Sequence, residues 1–215
     1  MIQPLKHCRL AVIVAFALLA LTLAAQTQSK PAPDAKQAAN PAAKPNQEAQ
    51  LYRNSIFGFR YQIPYSWVDR TKGMQEGNEA GKAEVLLAVF ERPPEAIGDT
   101  INSAVVFAAE SAASYPGLKR AEDYVGPLTE LATAKGFKAD GEPYALEVES
   151  RHLLRVDFIK PIEVKTTDKL AMRQCTLVLL ARGQIISFTF IAGSEDEIDE
   201  LMDGLHFGVA KSPAH

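Results

Sequence analysis

A chain of 215 residues with 26 acidic and 23 basic side chains has room for one domain of ordinary size and carries a mildly negative charge. This balance, without a basic stripe, argues against nucleic-acid binding, which needs lysines and arginines to neutralise phosphates. Residues 51–215 alone could bury about 70% of their unfolded surface, so stability requires neither a disulfide nor a metal ion.

The first 24 residues have the features of a secretory signal peptide. Lys6 and Arg9 supply the positive start, and residues 10–25 are apolar and uncharged. This apolar run is short for a membrane span, which needs roughly 20 residues. Thr22 and Ala24 are small residues placed for cleavage after Ala24, with cleavage after Ala25 nearly as good. We therefore expect a periplasmic or secreted protein; the alternative is an inner-membrane protein anchored by the uncleaved segment.

Cleavage at this point removes Cys8 and leaves Cys175 as the only thiol, which excludes an intramolecular disulfide. Cys175 lies in the apolar run CTLVLLA, and we interpret it as a small buried hydrophobe, not a nucleophile. Residues 25–50 consist mainly of Ala, Pro, Lys and Gln and contain no aromatic side chain. Such a composition predicts a disordered linker that spaces the domain from the membrane.

The domain is predicted to begin at residue 51, and its clearest early strand covers residues 57–63. The alternating aromatic and aliphatic side chains of FGFRYQI indicate one face on a core. Pro64 ends this strand because it has no N–H group to donate. An extended run over residues 65–70 follows, in which Trp67 is expected to close one end of the core.

Four further strand regions are predicted downstream of a glycine-rich turn region at residues 73–81. Runs that are apolar on both faces indicate strands covered on both sides. Turn residues such as Arg182-Gly183 indicate hairpins. A polar loop is expected over residues 160–169. The predicted strands cover residues 84–91 and 101–109, the hairpin of 144–148 with 152–159, and the long hairpin of 170–181 with 184–192.

Two helices are predicted. The first covers residues 121–135 and ends at Gly136; Pro127 either lies close to its first turn or kinks it. The second begins with a capping box of Ser194 and Glu197, carries one apolar stripe and has an acidic opposite face. Residues 205–207 then return to the sheet, and residues 209–215 form a flexible tail. The order of elements predicts an α+β domain over residues 51–208 with six to eight mostly antiparallel strands.

We find no sequence motif for catalysis, cofactor binding or metal binding. Nothing in the sequence places two of His152, His206 and His215 together, although a metal pair of His152 with an acidic residue stays an alternative. The acidic residues 194–200 are better interpreted as a solvated helix face than as a calcium site. No carboxylate pair is singled out for acid–base chemistry. We therefore predict that the protein is not an enzyme and has no catalytic, metal or cofactor residues and no cofactor.

Several residues carry a resemblance to the PsbP-like superfamily. They are Asn54, Phe57-Gly58-Phe59, Ile63-Pro64, Trp67 and the closing run IISFTFIAGSEDEIDELMDGLHF. The resemblance covers residues 51–208 and implies a three-layer α/β/α sandwich around a mostly antiparallel sheet. It also implies a largely non-enzymatic protein that binds and stabilises other proteins, as some relatives do in photosystem II or with Ran, while others bind metal ions. Neither the photosynthetic role nor Ran binding follows for an exported chain.

Three functions remain as hypotheses. The first is an exported, non-catalytic accessory module, a monomer that binds an unknown protein partner of the cell envelope and not nucleic acid; it predicts an exposed apolar or charged patch. The second is a binder of a small apolar or lipidic ligand between sheet and helices, which predicts a cavity with few polar groups. The third is an unrecognised hydrolase, which predicts a cleft with clustered titratable side chains.

Overall fold

The computed structural model describes residues 50–76, 83–96, 100–162 and 170–208. The predicted signal peptide, nearly all of the predicted linker, most of the glycine-rich turn region and of the 160–169 loop, the C-terminal tail and His215 lie outside these residues. In the part of the chain that is described, no helix is both long and apolar enough to span a bilayer.

The described residues form eleven strands and three α-helices, with two short 3-10 segments at Ala112–Ser114 and Ala121–Tyr124. The strands are β1 (Leu51–Asn54), β2 (Phe59–Gln62), β3 (Val68–Asp69), β4 (Glu84–Phe90), β5 (Ala104–Ser111), β6 (Lys138–Ala139), β7 (Tyr144–Val148), β8 (Arg151–Ile162), β9 (Leu170–Ala181), β10 (Gln184–Ala192) and β11 (Leu205–Phe207). The helices are α1 (Thr71–Glu76), α2 (Val125–Ala134) and α3 (Glu195–Asp203).

An eight-stranded antiparallel sheet forms the centre of the fold. Its strand order is β3-β4-β5-β10-β9-β8-β6, and β7 also pairs with β8. The predicted hairpin of β9 and β10 is confirmed, with Ala181 opposite Gln184 and positive φ angles of 53° at Arg182 and 72° at Gly183. Two consecutive positive φ angles match the twist of the flanking strands and close this hairpin tightly.

One face of the central sheet is covered by α3 and by a second sheet with the strand order β1-β2-β11. The predicted inward side chains Phe59, Tyr61 and Ile63 are buried against it. The space between the two sheets is filled by aromatic rings: Phe59 and Phe107 both stack edge-to-face on Phe188 at centroid distances of 5.0 Å. Such contacts stabilise a core beyond the area that they bury.

Gly204 allows α3 to lie directly against the small sheet. A Cβ atom at this position would lie 2.9 Å from the ring of Tyr61 and 3.1 Å from the carbonyl oxygen of Gln62. The close approach permits two hydrogen bonds, from the Gln62 N–H to the Gly204 oxygen (2.9 Å) and from the Tyr61 hydroxyl to the Leu201 oxygen (3.1 Å). Glycine is therefore required here for packing, not for backbone conformation.

The opposite face of the central sheet is covered by the segment that contains α2. Tyr124, Leu128 and Phe137 pack there on Val156 and Phe158 of β8. The central sheet thus carries a layer on each face, which confirms the three-layer α+β prediction. The layer opposite α2 is mixed, because a small sheet accompanies its helix.

Details of two predicted elements change. Residues 65–70 are extended only at β3, because Ser66 adopts a positive φ of 65° in a turn that leaves Tyr65 64% exposed. Trp67 is partly buried and packs against the core. The glycine-rich region begins with helix α1, not a turn.

The two predicted helices also differ slightly from expectation. Regular α2 begins at Val125, after the 3-10 segment, which places Pro127 in its first turn and agrees with the first of the two alternatives. In α3, Ser194 accepts from the Glu197 N–H as predicted, at 3.2 Å. The Glu197 carboxylate, however, does not return to Ser194; it accepts from the Gly193 N–H (3.1 Å) and from the Ser103 hydroxyl (2.5 Å).

Candidate functional site

Cys175 is a structural residue of β9. Its side chain is fully buried in the core, and its Sγ atom lies 3.6 Å from the sulfur of Met202. Burial raises the pKa of the Cys175 thiol well above its usual value, so the reactive thiolate does not form at neutral pH. The interpretation of Cys175 as a small buried hydrophobe is confirmed.

In the part of the chain that the structure describes, His152, His206 and the acidic residues 194–200 are not brought together. His152 is exposed on β8, and His206 pairs with Glu149 at 3.0 Å between Nδ1 and Oε1. The first turn of α3 exposes Glu195 and Asp196 to solvent, which agrees with a solvated helix face. Within residues 50–76, 83–96, 100–162 and 170–208, no group of three potential metal ligands is found.

A charged cleft of about 290 Å³ lies where β8 and β9 meet the start of α3. Arg155 donates from Nε to both carboxylate oxygens of Asp157, at 3.0 and 2.9 Å, and also reaches Asp199 of α3 at 3.3 Å. Arg173 pairs with Asp140 at 2.9 Å. Because both arginines are bound to carboxylates, we interpret this cleft as an ion-pair network that ties α3 to the sheet.

Glu110 forms a buried polar cluster that the sequence did not indicate. Its carboxylate, at the end of β5, accepts hydrogen bonds from the Tyr115 hydroxyl (2.5 Å) and the Tyr124 hydroxyl (2.7 Å). The two tyrosine rings stack edge-to-face at 5.2 Å. Burial raises the pKa of both tyrosines, so both hydroxyls remain donors at neutral pH. The cluster fastens the segment after β5 to the central sheet.

Replacing Tyr124 with phenylalanine is expected to lower the free energy of unfolding by about 1–3 kcal/mol, because it leaves one oxygen of the buried Glu110 carboxylate without its donor. Urea unfolding followed by far-UV circular dichroism measures this. The control is Tyr144→Phe, which removes a hydroxyl from a ring that is 46% exposed and should change stability by less than about 0.5 kcal/mol. Equal effects of the two variants would contradict the assigned role of Glu110.

The outer edge of the small sheet is open at β1. No described strand pairs with β1 on the side away from β2. The Gln50 carbonyl oxygen accepts from the Ile63 N–H at 2.9 Å. Along an antiparallel pair of strands, residues that form hydrogen bonds to the neighbouring strand alternate with residues that do not. The peptide groups of Tyr52 and Asn54 therefore face β2, while those of Leu51 and Arg53 point away from it.

A second cleft, of about 350 Å³, lies beside this open edge, between β1 and the central sheet. Ile56, in the loop after β1, forms part of its rim and is 62% exposed, and Phe57 beside it is partly buried. Polar and apolar side chains share the lining. Its residues are Tyr52, Asn54, Ile56, Phe57, Gln75, Glu84, Leu86, Ala109, Arg182 and Gln184.

A row of basic side chains crosses the outer face of the small sheet. Arg53 lies opposite Arg60, and Arg60 lies opposite His206 on the next strand. Arg60 donates to the Gly208 oxygen at 3.3 Å, and His206 is paired with Glu149. Arg53 is exposed and has no ion-pair partner among the described residues. Like charges that face each other across strands destabilise a sheet, so this row is a functional candidate.

Glu149 holds β11 in place from the turn between β7 and β8. Its carboxylate accepts from the Phe207 N–H at 2.8 Å and contacts His206. The Phe207 hydrogen bond, aided by His206, lowers the pKa of the Glu149 carboxyl. A carboxyl whose pKa is lower in the folded state than in the unfolded state stabilises the fold at pH values above its unfolded-state pKa. This contribution is lost as the pH falls through the folded-state pKa.

We expect Glu149→Gln to lower the free energy of unfolding at pH 7, and to do so less at pH 3. The side chain is well exposed, so the loss at pH 7 should stay below about 1 kcal/mol. Urea unfolding at both pH values measures the difference. Glu147→Gln, an exposed change on β7, is the matched control; a Glu149→Gln effect that is the same at both pH values would contradict the linkage.

No family model matches the sequence, and neither does any curated protein. Among solved structures, the chain is similar to cyanobacterial PsbP from Synechocystis (TM-score 0.47, 13% identity, 80% of this chain and 98% of that one). It is also similar to the Ran-binding protein Mog1p of Saccharomyces cerevisiae (0.42, 7%, 75% and 96%). A third is LpqN, involved in cell envelope biogenesis of Mycobacterium tuberculosis (0.38, 13%, 76% and 92%). These similarities concern the fold alone, and no conclusion about superfamily or function follows from them.

Proposed function

We propose that this chain is an exported, non-catalytic accessory module that binds a protein partner in the cell envelope. The observation that carries this proposal is the open edge of β1 beside the cleft whose rim exposes Ile56. An exposed aliphatic side chain next to an open cleft and an unpaired strand is typical of an interaction surface.

The filled interior argues against the alternative of a small apolar or lipidic ligand. Such a ligand would lie between the sheet and the covering layers. On one face this space is occupied by Phe59, Phe107 and Phe188, and on the other by Tyr124 and Phe158. The described clefts lie at the surface and have charged side chains in their linings.

The hydrolase alternative has less support. It requires a nucleophile or an acid–base pair that is free to react with a substrate. Cys175 is buried, and Asp140 and Asp157 in the charged cleft are bound to arginines. Glu110 is held by two tyrosine hydroxyls. We therefore favour binding over catalysis.

Site-specific photocrosslinking tests the proposal. A photoreactive amino acid replaces Ile56 in the full-length chain, expressed in its own host. The control replaces Thr133, which is exposed on α2 in the opposite layer. We expect one reproducible protein adduct from position 56 and none from position 133, and mass spectrometry identifies the partner. The absence of an adduct at position 56, or the same adducts from both positions, would overturn the proposal.

A further inference from the structure

We propose that the partner binds as an extended strand added beside β1, and that its residue facing Arg53 is acidic. This inference rests on the proposed function and specifies how the same site recognises its partner. Three features support it: the unpaired peptide groups of β1, the adjoining cleft, and the row of basic side chains that ends at Arg53.

The backbone of β1 can hold an added strand. Leu51 and Arg53 each direct one N–H and one carbonyl group away from β2, toward the side on which no described strand pairs. A partner that adds a strand to an open edge obtains much of its affinity from such main-chain hydrogen bonds. The strand has only four residues, so binding is expected to be weak and reversible, as suits an exported monomer that must not aggregate.

The cleft determines one half of the specificity. Side chains at directly opposed positions of neighbouring strands point to the same face of a sheet. Residues of the added strand opposite Tyr52 and Asn54 therefore point to the inner face, where the cleft lies. An apolar side chain at either position contacts Ile56, Phe57 or Leu86.

The row of basic side chains determines the other half of the specificity. An added strand extends the row Arg53–Arg60–His206 by one position, directly beside Arg53. A carboxylate there faces the one cation of the row that lacks a partner among the described residues, and it replaces like-charge repulsion with attraction. The inferred segment thus alternates apolar residues toward the cleft with an acidic residue toward Arg53.

Two other occupants fit these features less well. An anionic membrane is recognised by clusters of about four to eight lysines and arginines. Here the row has two arginines, and its histidine is already paired with Glu149. A second copy of the chain could offer its own β1, but the sequence LYRN contains no carboxylate to face Arg53.

Labelled peptides test the inference directly. The probes are peptides of four Val-Glu, four Val-Gln or four Val-Lys repeats, which are extended in the same way and differ only in charge. Binding to the exported chain is measured by fluorescence anisotropy. We expect the Val-Glu peptide to bind at least tenfold more tightly than the Val-Lys peptide, with Val-Gln between them. Arg53→Glu should reverse this order.

A pair of variants at Leu51 separates strand addition from simple charge attraction. Leu51→Pro removes the N–H that points away from β2, and leaves the bonds between β1 and β2 intact. Leu51→Ala removes the same side chain but keeps the N–H. We expect the proline variant to bind the Val-Glu peptide at least tenfold more weakly than the alanine variant does. The two variants should have the same urea concentration at the midpoint of unfolding.

Each other outcome is decisive. Equal binding by the two Leu51 variants would overturn strand addition, and equal binding of the three peptides would overturn the acidic preference. Binding to phosphatidylglycerol vesicles that is lost in Arg53→Glu, with no peptide bound at about 1 mM, would replace the inference with a membrane surface. In any of these cases a specific crosslink from Ile56 would still support a protein partner, so the two proposals fail separately.

Discussion

Phe107→Ala is expected to lower the free energy of unfolding by about 3–5 kcal/mol, one of the largest effects of any single substitution in this fold. Phe107 is fully buried in β5, at the centre of the space between the two sheets. Its ring makes edge-to-face contacts with those of Phe59 (5.7 Å), Tyr61 (5.1 Å), Phe188 (5.0 Å) and Phe190 (5.8 Å). Truncation removes all four contacts and leaves a cavity between two rigid sheets.

Urea unfolding, followed by both tryptophan fluorescence and far-UV circular dichroism, measures the loss. Phe107→Leu fills most of the space and should be clearly less destabilising. Ile56→Ala, at the exposed rim of the cleft, should change stability by less than about 0.5 kcal/mol and serves as the control. A loss below about 1 kcal/mol for Phe107→Ala would contradict the description of a filled interior.

The central sheet could be predicted from the sequence because its signal is local. β4, β5, β9 and β10 are apolar on both faces, and this pattern requires a layer on each side. The turn at Arg182-Gly183 fixed the register of the hairpin within a few residues. The apolar stripe and serine cap of α3 were equally local.

The small sheet could not be predicted in full because it is assembled from distant segments. The sequence LYRN of β1 has no apolar alternation, and β11 has only three residues. Both become strands because they pair with β2. The pairing of β11 with β2 joins residues that are distant in the chain: Leu205 and Tyr61 are 144 positions apart. Only after this register is known do Arg53, Arg60 and His206 form a row.

The polar clusters were missed for a related reason. Glu110 closes an apolar strand, and nothing nearby in sequence shows that the hydroxyls of Tyr115 and Tyr124 will both reach its carboxylate. Similarly, Arg155 and Asp157 alternate with Val156 along β8 and lie on the opposite face of that strand. The contact with Asp199 depends on where α3 docks.

Arg155→Met is expected to lower the free energy of unfolding by about 2–4 kcal/mol, because it leaves the Asp157 carboxylate partly buried without its cation. The Arg155 side chain is 11% exposed and that of Asp157 is 23% exposed, so water replaces the lost partner only in part. The substitution also removes the hydrogen bond from Arg155 to Asp199, which weakens the attachment of α3 to the sheet.

The double variant Arg155→Met with Asp157→Leu should recover most of this loss, because neither charge then remains to be solvated. A double-mutant cycle completed with Asp157→Leu measures the coupling between the two side chains. Arg173→Met is the matched control: its pair with Asp140 lies in the same cleft but is more exposed, and its loss should cost less than about 1 kcal/mol. If Arg155→Met and Arg173→Met lower the free energy of unfolding by the same amount, burial does not govern the strength of these ion pairs. The cleft would then have to be reconsidered as a site where water or a ligand stabilises both arginines.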